Sequence, residues 1–315
     1  MIGGSSMSGK SEPVQTIERL IPQLAKTVQH RVWVISDLQQ TDPKQARRCL
    51  TVAIQDYERL GLKCDAIWYL GDAVEGANLT ALRRMTAMQF DLLGRLGVPV
   101  RYVMGNHEFD YAIHHKRGGP VIVPFWESAK TMPGWKTTRR LDDFYMIDQI
   151  GDWTVVFFSD HADPAGAWVS VHGDVYGKNP QDYPHTTDVY QALSHHIATL
   201  GERVITAGHY AFAGGNRPST LLDRMLPVPE NVKLHLYGHA HIGDAKWAKE
   251  HCFRKIAGIH GHKAPQIDVA SLEDQRGSEI RSVMLELYED HSIGVLFRDH
   301  SRVAWAEVYV LSDIR

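Results

Sequence analysis

Five apolar runs in this chain end in the same way, and that repetition constrains the fold more than any other feature. "RVWVIS" (31–36) is followed by Asp37, "CDAIWYLG" (64–71) by Asp72, and "VPVRYVMG" (98–105) by Asn106 and His107. "RVITAG" (203–208) is followed by His209, and "VKLHLYG" (232–238) by His239 and His241. Short, near-continuous apolar runs rich in β-branched and aromatic residues are the pattern of strands buried on both faces. Between the first three, segments 44–60 and 77–96 have helical spacing, with Gly61 and Gly97 near their ends. This alternation predicts βαβ units and a largely parallel sheet. Ligands of such sheets bind beyond the carboxyl ends of the strands, so the Asp, Asn and His residues are expected to converge on one rim. Four of the five runs close with glycine, which allows a sharp turn and a close backbone approach there.

Each strand end has an ordinary reading by itself, as a turn or a helix cap. The ordered set of five does not. Mixed oxygen and imidazole donors suit borderline divalent cations such as Mn, Fe or Zn better than an all-oxygen calcium site. A carboxylate can bridge two such cations. A pair about 3.5–4 Å apart clamps the attacking and leaving oxygens of a displacement at phosphorus.

Composition narrows the class further. The 315 residues are 43% hydrophobic and 23% charged, as in an ordinary globular protein with a large core. No run approaches the roughly 20 apolar residues that span a bilayer, and no apolar signal core begins the chain. Three scattered cysteines (Cys49, Cys64, Cys252) read as reduced thiols, so the expected compartment is the cytoplasm. A net charge of −3 argues against a surface for long nucleic acid, while leaving room for a locally positive site. The string "GSSMSGKS" (4–11) matches a phosphate-loop pattern, but no strand precedes it, and Pro13 follows where a helix should begin. Residues 1–30 are therefore expected to be a leader plus a short helix over 16–28, and 31–315 a single domain.

With these residues in view, the chain resembles the calcineurin-like metallophosphoesterase superfamily. The family order D-x-H, G-D, G-N-H-[D/E], a lone H, and G-H-x-H reads here as "SDLQ" (36–39), "LGDAVE" (70–75), "MGNHE" (104–108), "AGHY" (207–210) and "YGHAH" (237–241). The resemblance implies a four-layer αββα sandwich, two packed mixed sheets flanked by helices. Runs 144–150, 153–160, 280–289, 292–300 and 306–311 read as further strands, several of them an antiparallel meander that could supply the second sheet. The resemblance also implies that Asp37 and His241 bind a first metal, that Asp72 bridges two metals, and that Asn106, His209 and His239 bind the second. A hydroxide bridging the cations would then attack phosphorus in line. His107 would stabilise developing charge or protonate the leaving oxygen, with Glu108 orienting it. Gln39 stands where the family most often has histidine. Its amide oxygen can ligate a hard cation or leave the first site partly open, which favours Mn over Fe, Zn or Ni.

The loops after these strand ends are expected to shape the pocket. Candidate substrate contacts are Arg139, Arg140, His161 and Asn216. The expected activity is hydrolysis of a small-molecule phosphate ester, monoester or diester, with nucleotide-type substrates included. No membrane partner is expected, and protein partners cannot be read from the residues. Two other functions stay open: a scaffold that binds without catalysis, and a different two-metal hydrolase or lyase reaction at the same rim.

Overall fold

The computed structural model describes residues 26–75, 79–107, 128–129, 131–138, 144–159, 184–219, 222–241, 255–275 and 279–312. Thirteen strands fall into two sheets among these residues. The first sheet has the order β13-β12-β11-β1-β2-β3-β4 and the second β5-β6-β7-β8-β10-β9. In the first, β1 (Val28–Ile35), β2 (Ala66–Leu70), β3 (Val100–Val103) and β4 (Trp135–Thr137) run parallel to one another. They are joined antiparallel to the meander β11 (Arg281–Tyr288), β12 (Ile293–Asp299) and β13 (Ala304–Leu311). The second holds the antiparallel pair β5 (Tyr145–Ile150) and β6 (Trp153–Phe158). It continues in parallel through β7 (Val204–Ala207), β8 (Val232–Tyr237) and β10 (Pro265–Asp268), and ends with β9 (Ile256–Gly258).

Alternation along each strand explains why the two sheets stack. Val32 and Val34 of β1, with Trp68 and Leu70 of β2, pack into one apolar layer with Val155, Phe157, Ile205, Leu234 and Leu236 of the second sheet. Trp33, Ile35, Ile67 and Tyr69 point the other way, into a layer shared with helices α1 (Pro43–Leu60) and α2 (Leu79–Gly94). Helix α3 (Pro184–Thr199) covers the far face of the second sheet through Tyr190, Leu193 and Ile197. The result is helices, sheet, sheet, helix. Each of these side chains, fully buried, stabilises the fold by about 1.5–3 kcal/mol relative to exposure.

Helix α1 shows how local signals start and stop an element. The Asp42 side chain accepts the Lys44 N–H at 3.0 Å and Pro43 opens the first turn. Gly61 closes the helix at φ +62° and donates its N–H to Glu58 O. Ala46, Cys49, Leu50, Ala53, Ile54 and Tyr57 form its buried stripe, and Tyr57 stacks on Trp33 at 4.7 Å.

Two expectations are corrected. The C-terminal meander extends the first sheet through β1–β11 pairing, with Val34 opposite Val283, rather than supplying the second. Both faces of β1 were already committed to apolar layers, so its open edge was where the meander could pair. Strand β1 also starts at Val28, taking the last residue of the helix expected over 16–28. No helix among the described residues is long and apolar enough to cross a membrane.

Two buried polar centres brace the layers. Asp56 of α1 accepts two hydrogen bonds from Arg298 at 2.7 Å and one from His300 Nδ1 at 2.8 Å, while His300 Nε2 meets Ser282 Oγ at 2.7 Å. Burial works against the Asp56 charge, and these partners outweigh it, bringing the carboxyl down to about 2. Asp56→Ala strands a buried guanidinium and should cost about 3–5 kcal/mol in denaturant unfolding, with metal content unchanged.

In the second sheet, His235 is fully buried, donating to Tyr210 O at 2.8 Å and meeting Thr206 Oγ1 at 3.0 Å through Nδ1. Burial holds its imidazole down, at about 4 against 6.5. The folded state therefore stays neutral while the unfolded chain takes up a proton, so stability falls as pH drops from 6.5 toward 4. The parent should lose up to about 1.4 kcal/mol more per pH unit across this window than His235→Gln, as read from pH-dependent denaturation.

Candidate metal centre

The rim is built where the carboxyl ends of β1, β2 and β3 in one sheet meet those of β7 and β8 in the other. Asp37 and Asp72 follow the adjacent parallel strands β1 and β2, and both are fully buried. His209 follows β7, and His239 and His241 follow β8, all of them buried. Asn106 and His107, after β3, are partly exposed.

The turn at each strand end is unusually tight. Asp37, Asp72, His239 and His241 adopt φ of +54°, +50°, +66° and +51°, four of the eight non-glycine residues in this left-handed region among those described. The conformation is uncommon for residues with a side chain and concentrates at functional sites. The glycines make room for it. A Cβ on Gly71 would stand 2.6 Å from His209 Nδ1 and 2.7 Å from the Gly105 nitrogen. One on Gly238 would collide with Ser36 Oγ.

Hydrogen bonds within and between the sheets then aim the donors. The Asp37 carboxylate accepts the His239 N–H at 3.0 and 3.2 Å. Asp72 Oδ1 accepts the His107 N–H at 2.8 Å, and Asp72 Oδ2 lies 3.2 Å from His209 Nε2. His209 Nδ1 donates to Leu70 O at 2.6 Å, which leaves Nε2 facing the site, 3.2 Å from Asn106 Oδ1. His241 Nε2 lies 3.3 Å from Asp37 Oδ1. Behind Asp72, Gln89 of α2 donates to Ala73 O at 2.6 Å and accepts from Tyr69 Oη at 2.8 Å, fixing the turn.

Two donor groups result. Asp72, His209 and His239 offer ligand atoms within 4.8 Å of one another, and so do Asp37, Asp72 and His241. Asp72 is common to both, the arrangement a bridging carboxylate needs. The electrostatics are those of a site with a cation to gain. Burial raises the Asp37 carboxyl, and Asp72 adds to that effect against the pull of His241 and His209. Burial also opposes the Asp72 charge, but His209 and His107 outweigh it and hold that carboxyl well below the usual range. Burial and the neighbouring His209 drive the His239 imidazole well below its ordinary value, so it is a neutral donor. His239 Nε2 is buried without a hydrogen-bond partner among the described residues. An orphaned buried nitrogen on a residue grouped with the Asp72 carboxylate and His209 fits a divalent cation.

The structure thus brings together Asp37, Gln39, Asp72, Asn106, His107, His209, His239 and His241. Glu108, Arg139, Arg140 and His161 lie outside the described residues. Asn216 is placed against Tyr237, donating Nδ2 to its hydroxyl at 3.0 Å. Sequence reading did not single out Glu273, whose carboxylate meets His241 Nδ1 at 3.0 Å, or Arg217, whose positive charge acts on His239. Arg217 sits in the loop flagged after β7. Glu273 follows β10, a strand too short and polar to stand out.

Gln39 sits 2.9 Å from His241, nitrogen to nitrogen. Its amide donates into the lone pair that a cation at Asp37 and His241 would take, so the amide must turn for metal to bind. Gln39→His should tighten the first cation in titrations of the metal-stripped protein. Equal affinity and stoichiometry in mutant and parent would refute this.

A family model described as calcineurin-like phosphoesterase matches residues 30–243. A dimetal phosphatase from Danio rerio superposes with a TM-score of 0.56 at 16% identity, over 90% of this chain and 99% of its own. Purple acid phosphatase PPD1 from yellow lupin (Lupinus luteus) seeds does so with a TM-score of 0.52 at 12% identity, over 89% of this chain and 53% of its own. At such identities the likeness is one of fold. A search of curated proteins finds no matching relative.

Proposed function

Because the chain belongs to the calcineurin-like phosphoesterase family, we propose that it hydrolyses small-molecule phosphate esters, nucleotide-type substrates included, using two divalent cations. The observation that carries this reading is the pair of buried donor groups that share Asp72. Asp37, Gln39, Asp72 and His241 would hold one cation, and Asp72, Asn106, His209 and His239 the other. Manganese is the first choice, since the donors are mostly oxygen and imidazole with no thiolate.

When bound, the cations would supply Lewis acidity toward phosphoryl oxygens and make a water acidic enough to be the nucleophile near neutral pH. The remaining work belongs to the chain. Asp72, held in place by the His107 N–H, would be the ligand common to both cations. Leu70 O holds His209 with Nε2 turned inward. His107 keeps its imidazole partly exposed at the edge, with Nε2 4.0 Å from Asp72 Oδ2. There it can stabilise charge on the transferring group or deliver a proton to the leaving oxygen. Glu108 is proposed to orient it. Arg217, whose positive charge acts on His239, is proposed to attract an anionic substrate.

The test uses metal-stripped protein reloaded with Mn or with Zn, assayed on p-nitrophenyl phosphate and bis(p-nitrophenyl) phosphate. Turnover should require metal and fall to background in Asp72→Asn, and the faster ester identifies the substrate class. Two bound cations with no turnover of either ester would favour a binding role or another two-metal reaction.

A further inference from the structure

The two donor groups are backed differently. In the group around His209 and His239 there are two imidazoles, and the Nδ1–H of His209 donates to a neutral backbone carbonyl, Leu70 O. The group around Asp37 has one imidazole, His241, because position 39 is glutamine. Behind that single imidazole stands a carboxylate. Glu273 has no solvent exposure, and its Oε1 lies 3.0 Å from His241 Nδ1.

We propose that Glu273 is a positioning residue for the first metal shell: it holds His241 as the Nδ1–H tautomer and strengthens Nε2 as a ligand, offsetting the imidazole absent at position 39. An ionised carboxylate is costly to bury unless its oxygens are satisfied. Glu273 Oε1 is engaged by His241, and Oε2 accepts the Gln275 N–H at 2.9 Å. With Nδ1–H committed to Glu273, the lone pair of His241 rests on Nε2, the atom 3.3 Å from Asp37 Oδ1. A carboxylate on the distal nitrogen raises the basicity of the ligating one more than a carbonyl does.

The segment carrying Glu273 is fastened to the strand end it serves. Leu272 N–H donates to Ser36 O at 3.0 Å, immediately before Asp37. Gln275 Nε2 donates to Gln39 O at 2.6 Å, and Gln40 Nε2 donates to Asp274 Oδ1 at 3.1 Å. Residues 271–275 and 36–40 therefore form one unit, in which a shift of Glu273 moves both His241 and Gln39. Residue 273 lies beyond the family match, which ends at residue 243. This chain supplies the support from its own C-terminal part.

The inference rests on the two-metal reading, and the experiment separates their failures. Metal-stripped parent and Glu273→Gln are titrated with Mn(II) by calorimetry. The parent should bind two ions. Glu273→Gln should bind one as tightly as the parent and the other about 10–100-fold more weakly. The Glu273→Gln, Gln39→His double variant should recover much of the loss. A parent that binds fewer than two ions sinks the two-metal reading itself. Two unchanged affinities in Glu273→Gln, or an equal loss at both sites, overturns the role of Glu273 alone.

A second measurement needs no Glu273 variant. The zinc-loaded parent, 15N-labelled in its histidine rings, is compared with His241→Ala to assign the His241 signals. Expected are zinc on Nε2 and an Nδ1 proton slow to exchange. Zinc on Nδ1, or a rapidly exchanging Nδ1 proton, overturns the proposal even where Glu273→Gln does not fold.

Discussion

Two carboxylates, Asp37 and Asp72, are buried side by side at the ends of adjacent parallel strands, and the rest of the rim is organised around their charge. Like charges out of water repel and lose their hydration. The chain answers with backbone and imidazole donors. The N–H groups of His239 and His107 donate to Asp37 and Asp72, and His209 and His241 stand within 3.3 Å of the two carboxylates. These donors reduce the cost without removing it, as the upward pressure on the Asp37 carboxyl shows. Divalent cations would complete the compensation, and the orphaned His239 Nε2 is directed to the same end.

Holding such a cluster requires a backbone that cannot relax. The left-handed turns at Asp37, Asp72, His239 and His241 are kept by the sheets on which they end, and both faces of those sheets are packed. Glycines at 71 and 238 let the turns approach one another closely enough for hydrogen bonds to pass between the sheets. Rigidity at this rim follows from two apolar layers below it, so the fold and the site are one mechanical problem.

Much of this was legible along the chain. The strands 31–36, 64–71, 98–105, 203–208 and 232–238 stand where apolar runs placed them, and α1 covers the segment 44–60 read as helical, closed by Gly61. The short strands β4, β9 and β10, of three or four residues each, carried too little periodicity to be seen. The meander β11–β13 was visible as strands, but its sheet was not. A near-continuous apolar run reports that both faces of a strand are covered, and says nothing of which partner lies along its edge.

The sequence by itself determined which residues end the buried strands, and with them the donor chemistry of the rim. Strand periodicity, glycine and ligand type are all local properties. The grouping of the donors, with Asp72 common to both groups, was already implied by the family resemblance; only the tertiary structure brought their ligand atoms within reach of one another and set Glu273 behind His241. Asp37 meets His239 across 202 residues of chain, and His241 meets Glu273 across the boundary between a recognisable motif and an unremarkable loop. Such contacts depend on how two sheets stack and where their ends coincide. That is settled by the side chains filling the layer between them, and no stretch of sequence near the site records it.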